Sequence, residues 1–94
     1  MPFRRIAPQV FEHTDGYTVQ IGSRTTMEYL ESNRKAIVQV EFGPADTCIY
    51  MNRVDGWFST GQEMPMSDVE KSCVVERVAA ALRFDGSGVQ ISTY

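Results

Sequence analysis

Hydrophobic and polar residues alternate along the first half of the chain with the period of two that is typical of half-buried β-strands. The strongest alternation ends at Phe42, where four apolar side chains share one face of a candidate central strand. Turn sequences separate the alternating runs, and Thr14-Asp15-Gly16 is a hairpin signal. The pattern predicts five strands, at Gln9–His13, Tyr17–Ile21, Thr25–Glu31, Lys35–Phe42 and Thr47–Asn52.

The pattern changes to a helical period after Ser67. Ser67 and Glu70 have the spacing of a capping box, in which the serine hydroxyl accepts from the Glu70 N–H and the glutamate carboxylate accepts from the Ser67 N–H. We predict a helix that begins at Asp68 and ends at Arg83 or Phe84. The apolar residues that form its broad hydrophobic face are Val74, Val75, Val78, Ala81 and Leu82.

A last strand is predicted at Val89–Thr93, after a left-handed helix cap at Gly86. Ninety-four residues suit a single domain, spanning 1–94, with one modest core. The expected fold is α+β: an antiparallel sheet of about six strands in a meander, with one helix in the C-terminal half packed on one face. Partial curling of the sheet into a barrel around the helix is the alternative.

Charge and hydropathy limit the classes of partner. The net charge is −3 and the nine cations are scattered, so we expect no direct nucleic-acid binding. No apolar run approaches the length of a signal peptide or a membrane span, which predicts a cytoplasmic protein with no membrane contact. Cys48 and Cys73 lack CxxC spacing and are expected to be two reduced thiols, with a disulfide between them as the alternative.

No set of residues predicts catalysis. His13 is the only histidine and lies beside a hairpin, where we expect a surface side chain, and the two cysteines are far from it in sequence. A tetrahedral zinc site needs four close ligands, so we expect no metal and no cofactor. Because a nucleophile, a base and a metal set are all missing, we expect that the protein is not an enzyme.

The longest irregular segment, Arg53 to Pro65, is the candidate functional loop. Trp57 and Phe58 are adjacent, so in an extended backbone one faces the core and the other stays accessible. The acidic residues near the loop are interpreted either as a solvated face and helix caps or as a surface for a basic protein. The candidate partner-binding residues are Trp57, Phe58, Asp55, Glu63 and Asp46.

Several of these motifs, taken together, resemble those of one family. The Asp15-Gly16-Tyr17 turn, Ile49-Tyr50, the Gly56-Trp57 loop and the capped helix ending in Ala81-Leu82-Arg83-Phe84-Asp85-Gly86 resemble the small strand-rich immunity proteins of bacterial polymorphic-toxin and contact-dependent growth inhibition systems. The resemblance implies a cytoplasmic protein that neutralises the C-terminal toxin domain of a neighbouring effector, commonly a nuclease, by covering its active site. It supplies no catalytic residues and no interface residues.

The leading hypothesis from the sequence is therefore an immunity protein whose partner is a cognate toxin domain and which is itself a monomer or a weak homodimer. The alternative is a small-ligand-binding or regulatory domain that uses the space between the helix and the sheet. A deep apolar pocket with a few convergent polar groups would favour that alternative.

Overall fold

The fold is α+β, as the sequence predicted. A computed structural model describes residues 2–54, 56–59 and 61–92, and within these ranges it contains nine strands, one 3₁₀ turn and one α-helix. No helix in the described ranges is long and apolar enough to cross a membrane. In chain order the elements are β1 Phe3–Ala7, β2 Val10–His13, β3 Tyr17–Ile21, β4 Thr26–Glu31, β5 Arg34–Phe42, β6 Asp46–Tyr50, the 3₁₀ turn Met51–Arg53, β7 Trp57–Ser59, β8 Gln62–Met64, α1 Asp68–Phe84 and β9 Gly88–Ser92.

Strands β1 to β6 form an antiparallel meander, and β9 extends it by pairing parallel to β6. Strand β5 is shared by two branches of this curled sheet. Its first half pairs with β7 at Lys35 and Ala36, whereas its second half pairs with β6 at Val40–Phe42. The hairpin β7–β8 therefore leaves the main path at β5, and α1 connects this hairpin to β9.

The strand count of about six was too low. Strand β1 is missing from the prediction because Arg4 and Arg5 interrupt any alternation. The segment Arg53 to Pro65, predicted as irregular, contains β7 and β8, which have three residues each. A run of three residues is too short to show a period, so only its pairing partners identify it as a strand.

The predicted local signals at the hairpin and the helix are confirmed. Strands β2 and β3 pair around Asp15-Gly16. The capping box is complete, since the Glu70 N–H donates to Ser67 Oγ at 3.1 Å and the Ser67 N–H donates to Glu70 Oε1 at 3.1 Å. Gly86 has φ +93, and the N–H groups of Gly86 and Ser87 satisfy the last helical carbonyls in a Schellman arrangement.

The core lies between α1 and the inner face of the sheet. The five residues of the predicted apolar helix face are all buried, together with Ala79. Alternate residues of the strands pack against this helix face. Phe42, which was predicted to share a face with Val40, is 38% exposed because it lies at the end of β5. The largest fully buried side chains are Tyr29, Phe11, Met27, Ile49, Val19, Val38, Val74, Val75 and Val78.

A small residue in β5 brings two large rings together on this inner face. Ala36 lies between Tyr29 of β4 and Trp57 of β7 in the strand register. Because Ala36 leaves the space above it open, the rings of Tyr29 and Trp57 approach to 5.9 Å between centroids. The two rings form the part of the core that lies next to the first turn of α1, where Trp57 binds Glu70.

We expect Ser67→Ala to lower the free energy of unfolding by about 1 kcal/mol, since the Glu70 N–H loses its capping acceptor. In a domain of this size, the melting temperature would fall by about 4–8 °C. Urea and thermal unfolding measure both quantities. The control is Ser72→Ala, at an exposed position inside α1, where alanine has the higher helix propensity and no loss is expected. Equal losses in the two variants would contradict a capping role.

Candidate functional site

The outer face of the sheet, opposite α1, carries a continuous row of side chains. Each member is the register partner of the next, on seven successive strands of the hairpin branch. We call this set the outer row. Its members, from β1 to β8, are Arg4, Glu12, Thr18, Leu30, Lys35, Phe58 and Glu63.

The β7–β8 end of the outer row is the candidate binding site. Phe58 is half-buried and lies between Lys35 and Glu63 in the register. Neither Lys35 nor Glu63 forms an ion pair within the described part of the chain, although Arg4 and Glu12 at the other end of the row are paired at 2.5 Å. An aromatic side chain therefore stands between two opposite charges that have no ion-pair partner among the described residues.

The local sequence explains this arrangement. Gly61, at φ +81, supplies the left-handed residue of the tight β7–β8 turn. The hydroxyl of Ser59 donates to the carbonyl of Asn33 at 3.1 Å and ties the hairpin to the start of β5. All three residues of β8 are exposed, so Glu63 is held by backbone pairing while its side chain stays in solvent.

Trp57, a predicted partner-binding residue, belongs to the core. Its side chain is 3% exposed, and its Nε1–H donates to Glu70 Oε2 at 3.0 Å. The guanidinium of Arg34 lies 3.9 Å from the indole centroid, within cation–π range. Of the two adjacent aromatics, Trp57 is thus the buried member and Phe58 the accessible one.

A cluster of charged residues joins α1 to the sheet next to Trp57. We call it the charged cluster; its members are Tyr29, Glu31, Arg34, Glu70 and Arg77. Glu31 binds both arginines, Arg34 at 2.9 Å and Arg77 at 2.9 Å, and accepts a hydrogen bond from the Tyr29 hydroxyl at 2.8 Å. Arg77 also donates to the Tyr29 hydroxyl at 2.6 Å. Two cations and two anions balance, which allows the cluster to be partly buried.

The charged cluster changes the pKa values of its members. The hydrogen bond from Arg34 holds the pKa of Glu31 below its ordinary value of 4.5. The Ser67 backbone N–H lowers the pKa of Glu70, with a further contribution from the Trp57 indole. Burial raises the pKa of the Tyr29 hydroxyl. Both carboxylates are therefore ionised and the phenol is neutral near pH 7, so the cluster is organised as a structural contact.

The cleft beside the charged cluster is small. It holds about 130 Å³ between α1 and the sheet and is lined by cluster members together with Trp57, Cys73 and Val74. Ligand sites for small molecules are usually of about 300–1,000 Å³. A second cleft of about 430 Å³ near Phe42 and Arg24 lies at one end of the sheet and is lined mainly by exposed residues.

The other predicted partner-binding residues do not all join Phe58 and Glu63. Asp46 begins β6, where its Oδ2 accepts from Gln90 Nε2 at 3.0 Å. Thr47, the residue after Asp46, pairs with Phe42 of β5, whereas Phe58 pairs with Lys35. Seven residues of about 3.3 Å each separate Lys35 from Phe42, so Asp46 lies about 23 Å from Phe58 along the sheet. Asp55 lies outside the described residues.

The expectation of a surface histidine was wrong. The His13 side chain is only 12% exposed; it stacks on Tyr17 with centroids 4.5 Å apart and meets the edge of Phe3 at 4.6 Å. Strand β1, which the sequence did not reveal, supplies Phe3 and so encloses the ring. Both Cys48 and Cys73 are free thiols. Among the described residues, no group of three His, Cys, Asp or Glu side chains could hold a metal ion.

Lys35 and Leu30 are the site residues that sequence reasoning missed. The signal was present in the alternation of β5, because Lys35 has the same parity as Ile37 and Gln39 on the second face. The sequence singled out Phe58, but only the β5–β7 register shows that it lies beside Lys35. The outer row thus combines residues from strands that are distant in sequence.

Comparison with known proteins found no protein-family model, no curated protein and no solved structure that matches the chain. The chemistry of the site must therefore be read from its own geometry. An aromatic ring flanked by a lysine and a glutamate on an open sheet face suits contact with another protein, in which the ring supplies apolar area and the charges supply specificity.

We expect Trp57→Ala and Phe58→Ala to differ in their effect on folding. Trp57→Ala removes a buried side chain and should lower the free energy of unfolding by about 3–5 kcal/mol. Phe58→Ala removes a cross-strand contact on the outer face and should cost about 1 kcal/mol or less. Urea unfolding of the two variants measures the difference. Equal losses would contradict the assignment of Trp57 to the core and Phe58 to the surface.

The lowered pKa of Glu31 predicts a pH dependence of stability. A carboxylate whose pKa is below its unfolded value stabilises the fold above that unfolded value, and the stabilisation is lost as pH falls through the folded pKa. Glu31→Gln should therefore be less stable than the parent at about pH 6, with the gap closing towards about pH 3. Unfolding in urea across this range measures the gap.

The control for this measurement is Glu76→Gln, which changes an exposed α1 carboxylate with no ion pair among the described residues. Its stability should stay within about 0.5 kcal/mol of the parent's, as for most surface substitutions. A gap for Glu31→Gln that does not change with pH would show that the charge of Glu31 contributes nothing to folding.

Proposed function

We propose that the protein is an immunity protein that binds a cognate bacterial toxin domain, a nuclease, and blocks its active site. The observation that carries the proposal is the position of Phe58 between Lys35 and Glu63, which form no ion pair with any described residue, on the open face of the sheet. The resemblance of the hairpin, tryptophan-loop and capped-helix motifs to those of strand-rich immunity proteins adds support.

The β7–β8 hairpin has the features of a binding surface for a protein. Interfaces are dominated by a few aromatic anchors surrounded by less important contacts, and Phe58 is the aromatic residue of the hairpin on the outer face. Its partners in the strand register fix its position before binding, so little conformational entropy is lost on association. A partner without opposite charges in the matching positions would leave Lys35 and Glu63 unpaired in the interface and would bind more weakly.

The charge of the chain fits a basic partner. The net charge is −3, and the exposed carboxylate of Glu63 lies next to the aromatic anchor without a cation bound to it in the described residues. A nuclease binds the phosphate backbone through a basic groove. The net negative charge of the chain would favour its approach to that groove, and the Glu63 carboxylate would pair with a cation there in place of a phosphate.

The alternative, a ligand-binding domain with a pocket between helix and sheet, has less support. The space between α1 and the sheet is filled by the core, and the cleft that remains there is about 130 Å³. The groups that converge on it are already bound to one another, since Glu31 and Glu70 pair with Arg34, and Glu31 also pairs with Arg77. A ligand would have to break these contacts to use them.

The test is co-expression of the chain with the C-terminal domain of the large secreted protein encoded beside it. Growth rescue together with a one-to-one complex on co-purification is the expected result. The same toxin domain expressed alone and with a stably folded but unrelated small protein provides the controls. Toxicity that persists with the full chain, with no complex, would overturn the proposal.

Phe58→Ala should weaken the complex about 30-fold or more, a loss of about 2 kcal/mol, if Phe58 is the anchor of the interface. Glu63→Lys should slow association and reduce its dependence on salt, because it reverses a charge that attracts the basic partner. The control is Glu76→Lys, the same charge reversal on the exposed side of α1, away from the outer face.

Calorimetry or surface plasmon resonance with each folded variant measures these effects. Circular dichroism and unfolding curves first establish that Phe58→Ala and Glu63→Lys keep the parental fold. Binding that is unchanged in both variants but lost in Glu76→Lys would place the interface on the helix side of the molecule.

A further inference from the structure

Three strands lie at edges of the sheet: β1, β8 and β9 each pair with only one other described strand. An unpaired edge offers a row of N–H and C=O groups to any other strand, and proteins usually protect such edges with charges, proline, bulges or short length. The three edges differ in this protection.

Strands β1 and β8 are protected. The register of β1 shifts between Arg5 and Ala7, which disrupts a regular edge, and Arg4 and Arg5 add two charges. Strand β8 has only three residues and includes the charged Glu63. Both edges therefore oppose the addition of another strand.

Strand β9 has none of these protections. It spans five residues, Gly88–Ser92, with no charge and no proline. Its register with β6 continues over all five residues without a shift. Its side chains alternate regularly: Val89 and Ile91 pack against the core, whereas Gln90 is exposed on the outer face.

We propose that β9 pairs antiparallel with β9 of a second copy of this chain, across a two-fold axis at Gln90, and joins two sheets into one. In this register Val89 lies opposite Ile91 of the second copy, and both are on the inner face. Gln90 lies opposite its own copy on the outer face. The pairing is isologous, since each strand offers the other the same residues.

The second copy is the occupant that the composition of β9 favours. Apolar residues meet apolar residues in both halves of the ladder, and no like charges oppose each other. One N–H of the Gln90 amide already binds Asp46 at 3.0 Å, which leaves its carbonyl oxygen and the other N–H for the amide of the second copy. A charged partner segment would find no complementary charge within β9 itself.

A ladder of this length buries a small area, so the dimer should be weak and concentration-dependent. Sedimentation velocity and light scattering over a series from micromolar to millimolar measure the mass of the full chain. We expect the apparent mass to rise from 10.6 kDa towards twice that value. A mass of 10.6 kDa at every concentration would overturn the proposal.

Two substitutions test the place of the two-fold axis. Gln90→Lys and Gln90→Glu each put like charges opposite each other, so each variant alone should weaken the dimer about tenfold or more. A mixture of the two puts opposite charges together, and the dimer should return as a heterodimer. Recovery on mixing is a result that simple loss of folding could not give.

The matched controls are Gln62→Lys and Gln62→Glu, the same changes at an exposed residue of the β8 edge. They should leave self-association unchanged. Self-association that is lost in the Gln62 variants and kept in the Gln90 variants would overturn the proposal in favour of β8. A monomeric parent whose toxin complex is broken by Gln90→Lys would overturn it too, and would identify β9 as a toxin contact.

Discussion

The pairing of Ala36 with Trp57 is the contact on which the rest of the structure depends. Strand β5 pairs with β4 along one edge and with both β6 and β7 along the other. Ala36 is one of the two β5 residues that pair with β7. A larger side chain at this position would fill the space in which the rings of Tyr29 and Trp57 meet. The small size of Ala36 therefore allows the β7–β8 hairpin to pair with β5 and allows the two rings to pack beneath α1.

Burial of Trp57 decides the chemistry of the surface. Because successive side chains of a strand point to opposite faces, an indole fixed in the core forces Phe58 outward. Pairing with β5 and β8 then places Lys35 and Glu63 on either side of it. The candidate binding site is thus a geometric consequence of core packing on the other face of the same three-residue strand.

The charged side chains on the two faces of the sheet differ in whether they form ion pairs. On the helix side, Arg34 and Arg77 are engaged by Glu31 and Glu70, and the indole N–H of Trp57 joins them, so the cluster holds α1 against the sheet. On the outer face the charges at the hairpin remain unpaired among the described residues. The paired charges therefore contribute to the fold on the helix side.

The sequence by itself predicted the elements whose signals are local: the alternating strands between Gln9 and Asn52, the capped helix from Asp68 to Arg83 or Phe84 and the last strand. It also limited Trp57 and Phe58 to opposite faces. Tertiary structure alone decided which of the two is buried, the existence of β1, β7 and β8, the parallel pairing of β9 with β6 and the enclosure of His13 by Phe3. The physical reason is that a three-residue strand has no period of its own and is stabilised by partners that lie far away in the chain, as Ala36 is for Trp57.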